Sequence, residues 1–139
     1  MNNAQHNPSI TYEVIANGDI VVRKFIGNVS FDESIESWNK IINLEVCDRQ
    51  PRGVISDFSE SGPMDSSSKI QALIDFFKQH DDFFKNLLSA SIVKHPDKTA
   101  SGELVKRSIS DNRLPFRHEL FYSIENAIGW MQDEFSLSD

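Results

Sequence analysis

The run Gly53-Val54-Ile55-Ser56-Asp57-Phe58 stands between two stretches whose apolar residues recur at helical spacing, and that arrangement does most to fix the fold of this chain. Upstream, Ile35, Trp38 and Ile42 follow Phe31 by four, seven and eleven positions. This spacing stacks them on one helix face and leaves Asp32, Glu33, Glu36 and Lys40 to water. Downstream, Ile70, Leu73, Ile74 and Phe77 repeat the pattern. A strand entered and left through helices pairs with its neighbours in parallel, because only a parallel pair needs so long a crossover.

The remaining elements read in the same way. Residues 10–16 and 19–26 are rich in β-branched and aromatic side chains around Asn17-Gly18, a pair that accepts left-handed backbone, so they form an antiparallel hairpin. Ser30 and Glu33 have the spacing of a capping box for the first helix. After Asp81-Asp82, the side chains of Phe83, Phe84 and Leu87 fold back under the sheet, and residues 88–94 form a strand. Pro96 suits a first helical turn, and Ala100, Leu104 and Val105 give that helix an apolar face that Gly102 weakens. Asp111-Asn112 marks a turn, residues 115–121 form the last strand, and Ser123 caps a final helix carrying Ile124, Ala127, Ile128, Met131 and Phe135. The order ββαβαβαβα predicts a mixed α/β sheet of five strands: an antiparallel hairpin at one edge, then βα units with helices over the sheet.

Composition narrows the function. The 139 residues suit one domain over 10–136 behind a polar lead, residues 1–9, that lacks the apolar run of a signal peptide. No stretch of about 18 apolar residues is present to span a membrane. A net charge of −7 with scattered Lys and Arg argues against nucleic acid. Cys47 is the only cysteine and cannot form an internal disulfide, which suits a reducing, cytoplasmic compartment. His6, His80, His95 and His118 have no metal-ligand spacing, so neither metal nor cofactor is expected.

The candidate site is the turn after the third strand. Ser59-Glu60-Ser61-Gly62-Pro63-Met64-Asp65-Ser66-Ser67-Ser68-Lys69 would lie at the carboxyl end of a central strand, where open α/β sheets hold ligands. Asp57, Glu60, Asp65, Lys69 and His95 are its expected rim. A helix amino terminus would favour a phosphate on Ser66 or Ser67, although capping alone also accounts for Asp65 or Ser66 there. Asp57 suits an Asx-type turn equally well. Ser66, His95 and Asp57 resemble a hydrolytic triad by placement only, since no Gly-x-Ser-x-Gly elbow is present, and Pro63 removes an N–H that a phosphate nest would need. Trp38, Phe77, Phe84 and Trp130 read as core side chains or as the lining of an apolar cleft.

Taken with Ile20-Val21-Val22-Arg23-Lys24-Phe25-Ile26-Gly27-Asn28-Val29, the 53–58 strand and the stretches 93–96 and 121–130, the chain resembles the SpoIIAA-like group of STAS and SEC14-type small α/β domains. The resemblance implies a five-stranded mixed sheet, a cytoplasmic setting and no enzyme activity. In the anti-sigma-factor antagonist branch, an Asp-Ser-Ser-Gly-Leu turn opens the helix after the third strand and carries a phosphorylated serine. Asp65-Ser66-Ser67-Ser68-Lys69 is similar, with Ser68 in place of the glycine and Lys69 in place of the leucine. The expectation is a regulatory module that binds a protein partner. The alternative is a carrier of a small apolar ligand or lipid.

Overall fold

The computed structural model describes residues 8–62, 70–94, 96–114 and 117–138, with the backbone alone described over 96–102. Strand β1 (Ser9–Ile15) turns through a single 3-10 turn into β2 (Ile20–Gly27). There follow α1 (Phe31–Ile42), β3 (Gly53–Ser61), α2 (Ile70–Gln79), a short α3 (Asp81–Phe84), β4 (Leu88–Ile92), α4 (Pro96–Asp111), β5 (Arg117–Phe121) and α5 (Ile124–Ser138). The hairpin turn is left-handed over three residues, because Ala16 joins Asn17 and Gly18 at positive φ. Helix α1 starts on the expected capping box: Glu33 N–H donates to Ser30 Oγ at 3.1 Å and Ser30 N–H to Glu33 Oε1 at 3.0 Å.

The sheet has the order β1-β2-β3-β4-β5, with β1 antiparallel to β2 and the other pairs parallel. This is the five-stranded mixed sheet with an antiparallel edge hairpin that the residue pattern predicts. Each crossover advances to the adjacent strand in the same direction, so right-handed connections put the intervening helices on one face. Helix α5 follows the last strand, needs no crossover, and covers the other face.

Strand alternation therefore feeds two cores. Val21 and Val54 join Trp38, Ile41, Leu73, Ile74, Phe77 and Phe84 beneath α1 to α4. Ile20, Val22, Ile55, Ala90 and Ile92 join Ala127, Met131 and Phe135 beneath α5. Phe84 and Leu87 return under the sheet as expected, with Phe84 held on the short α3.

One boundary differs from the pattern in a way that matters for the site. Strand β3 does not stop at Phe58 but runs to Ser61. Its pairing with β2 shifts between Lys24↔Asp57 and Ile26↔Glu60, so two residues of β3 oppose one of β2. This bulge lets β3 resume its ladder and extend past β4.

Candidate functional site

The carboxyl ends of β2 to β5 form one rim of the sheet, and β3 reaches furthest along it. Asp57 is buried at this level, and its Oδ1 accepts the Ser59 N–H at 2.9 Å. The carboxylate thus holds the bulge in the manner of an Asx turn. Beyond it, Ser61 Oγ donates to the Phe58 carbonyl at 3.1 Å, and Gly62 N–H donates to the Gly27 carbonyl at 2.9 Å. A Cβ on Gly62 would stand 1.7 Å from Asn28 Oδ1, so a larger residue there would displace the Asn28 side chain.

The outward groups of the rim are different in kind. Glu60 is exposed and ion-paired with Lys24, whose pKa is raised chiefly by that hydrogen bond. Tyr122, just after β5, is 66% exposed. Asp65, Ser66, Ser67, Lys69 and His95 lie outside the described residues. Ser61-Gly62 on β3's end and Ile70 at the start of α2 flank the serine segment.

A second feature lies under α1 to α4, one level down. Tyr12, Arg23, Ser56 and Ser91 occupy one cross-sheet row on β1 to β4. Arg23 is 3% exposed, donates from Nε to Ser56 Oγ at 2.8 Å, and donates from Nη1 to the Ser34 carbonyl at 3.0 Å. Its central carbon lies 4.1 Å from the Trp38 ring and 4.9 Å from the Phe25 ring, a cation–π arrangement. Burial lowers its pKa to about 9, so it remains a cation at neutral pH.

Further along the sheet, His118 Nδ1 is 2.8 Å from Ser89 Oγ and its Nε2 is 3.2 Å from Ser91 Oγ. Burial first, then the charges of Arg23 and Lys106, push its pKa down to about 4. The ring is therefore neutral at pH 7, with one nitrogen donating to a serine and the other accepting from one.

The aromatic residues divide between the two faces. Trp38, Phe77 and Phe84 are buried in edge-to-face contact, with ring centroids 4.8–6.3 Å apart. Trp130 belongs to the α5 face, where it packs on Phe121 at 5.5 Å. The sheet separates Trp130 from the other three. A depression of about 470 Å³ lies at the amino end of the parallel strands, lined in part by Val14, Gly18, Leu44, Cys47 and Arg49. The Cys47 thiol there is pushed up in pKa by burial and then by Asp48, which keeps it protonated. Among the described residues, no group of three His, Cys, Asp or Glu side chains is placed to hold a metal ion.

Arg23 and Ser56 were not singled out from sequence, although the signal was available. Arg23 alternates with Val21 and Phe25, and Ser56 alternates with Val54, so both share the phase of core residues. A charged residue in phase with a buried face marks a polar group inside the protein.

The fold is similar to that of an uncharacterized protein of the DUF3478 family, with a SpoIIAA-like fold, from Shewanella loihica PV-4. The TM-score is 0.58, with 16% sequence identity over 94% of this chain and 98% of that one. No family model and no curated protein matches the chain. The architecture is thus SpoIIAA-like. No helix among the described residues is long and apolar enough to cross a membrane.

Proposed function

We propose that this domain is a non-enzymatic, cytoplasmic module that binds a protein partner through the rim at the carboxyl ends of its parallel strands. One observation carries the reading: along the described rim, the reactive and the exposed groups are different residues. Asp57 is buried and engaged in the bulge, whereas the accessible Lys24–Glu60 pair and Tyr122 present a charged and aromatic surface. Aromatic and charged side chains at a surface suit recognition, and a neutralised ion pair suits it better than proton transfer. The neighbouring serine segment adds the switch. A phosphate on Ser66 or Ser67 would bring about −2 charge to a stretch of sequence that already carries Glu60 and Asp65, weakening an acidic or apolar partner and favouring an arginine-rich one.

The test is affinity capture by Glu60→Lys and Tyr122→Ala variants, with exposed Leu137→Ala as control. The first two lose a partner that the wild type and the control retain. Equal capture by all four contradicts the rim. A Ser66→Ala/Ser67→Ala variant with unchanged phosphate incorporation and unchanged capture contradicts the switch.

A second reading, a carrier of a small apolar ligand, is favoured by a separate observation. The Arg23 cation is buried against Trp38, beside Phe77 and Phe84, with no acidic partner among the described residues. A stoichiometric acyl species in native mass spectra of protein purified without refolding would support that reading.

A further inference from the structure

Two buried hydrogen-bond donors stand together without an acceptor among the described residues. A guanidinium has five N–H groups. Arg23 places Nε on Ser56 Oγ, and Nη1 on the Ser34 carbonyl and, at 3.5 Å, on the Ser34 hydroxyl. Its Nη2 makes no hydrogen bond with these residues, and Ser56, which accepts from Nε, finds no acceptor for its own hydroxyl hydrogen. Arg23 and Ser56 are 3% and 2% exposed, so bulk water does not reach either donor freely.

Geometry gives the open donors a direction. The Nε–H and the nearer Nη2–H of a guanidinium are parallel, the fork that grips carboxylates. With Nε directed from β2 to Ser56 on β3, the free Nη2–H points across the sheet the same way, beside the Ser56 hydroxyl. The nearby rings of Trp38 and Phe25 offer Arg23 a cation–π contact but no oxygen acceptor for these donors. No ion pair reaches Arg23 among the described residues, and a buried cation without counter-charge is unstable relative to one that has it.

We propose that Arg23 and Ser56 form a buried site for a single carboxylate group. One positive charge with two adjacent donors matches a planar monoanion, whereas a dianionic phosphate would leave excess negative charge among Trp38, Phe77 and Phe84. A free short-chain acid and the head of an acyl chain share this chemistry. In its acyl form the proposal rests on the carrier reading; in its free-acid form it does not.

The test follows the Arg23 Nε–H resonance in the ¹⁵N-labelled protein, assigned by its loss in Arg23→Met, during titration with sodium acetate, sodium octanoate or uncharged 1-octanol. Native mass spectra are taken of the same samples. A saturable shift with acetate supports a free-acid site, and a shift with octanoate alone supports an acyl carboxylate. In either case Arg23→Met abolishes binding and Ser56→Ala weakens it about tenfold, the loss of one hydrogen bond to a charged group. A stoichiometric acidic adduct already present in the wild type and missing from Arg23→Met also supports the site. Should Arg23→Met fail to fold, Ser56→Ala decides through the same loss of affinity. Octanol binding as well as octanoate, with both variants unaffected, overturns the carboxylate site and leaves the carrier reading standing. Neither adduct nor shift overturns the site and removes the support it lends the carrier.

Discussion

His118 shows how a single side chain carries the cost of polar groups placed inside the sheet. Its native pKa is lowered to about 4 from an ordinary value of 6.5, first by burial and then by Arg23 and Lys106. Between those values the unfolded ring takes up a proton and the native ring does not, so acid favours unfolding. Stability contributed by the neutral ring is complete above pH 6.5 and is lost as pH falls toward 4, by up to about 1.4 kcal/mol per pH unit. The measurement is the urea midpoint of wild type and His118→Gln at about pH 7 and pH 5.5, above the range where most carboxylates titrate. The wild type loses stability over that interval and the variant loses clearly less; equal losses contradict a neutral, half-buried imidazole. Nothing in the sequence announced this, because His118 reads only as one position of an alternating strand. Its environment depends on Ser89 and Ser91, 29 and 27 residues away, which meet it only in the folded sheet.

At the scale of elements, the packing of α5 on the sheet depends on a missing side chain. Gly53 opens β3 directly under α5, where a Cβ would come within 2.5 Å of Met131 Sδ, and Met131 is fully buried. Gly53→Ala therefore overpacks that layer and destabilises by about 1–3 kcal/mol. Gly129, in α5, has nothing within 4 Å of the equivalent position, so Gly129→Ala stabilises by about 0.5–1 kcal/mol through helix propensity. Chemical denaturation of the two variants checks the pair, and the same sign for both contradicts the packing of α5. The existence and order of these elements were legible because hydrophobic period and caps are local: the Phe31 to Ile42 stripe and the Ser30 box became what their spacing dictates, and the Asn17-Gly18 turn formed with Ala16 drawn into it from the strand. The extension of β3 to Ser61 was not legible, since it depends on a bulge registered against Phe25 and held by Asp57. The close approach of Gly53 to α5 was not legible either, since Met131 comes from 78 residues further along the chain.

For the whole molecule, one topological fact organises both candidate sites. Parallel strands taken in sequence order send every crossover helix to one face, leaving α5 alone on the other and gathering the strand ends on a single rim. The rim could be anticipated from the strand and helix order. The buried Arg23–Ser56 pair could be anticipated only by setting two strands in register. The two sites lie at different depths of the same sheet, so the partner and carboxylate readings can be tested separately. The most direct measurement for the working face is amide hydrogen exchange of the protein alone and bound to a captured partner. The account predicts new protection over residues 58–62 and 121–123, with no change around Leu44 and Arg49 at the opposite end of the strands. Protection confined to that opposite end, or to the exposed edge of β1, would contradict it.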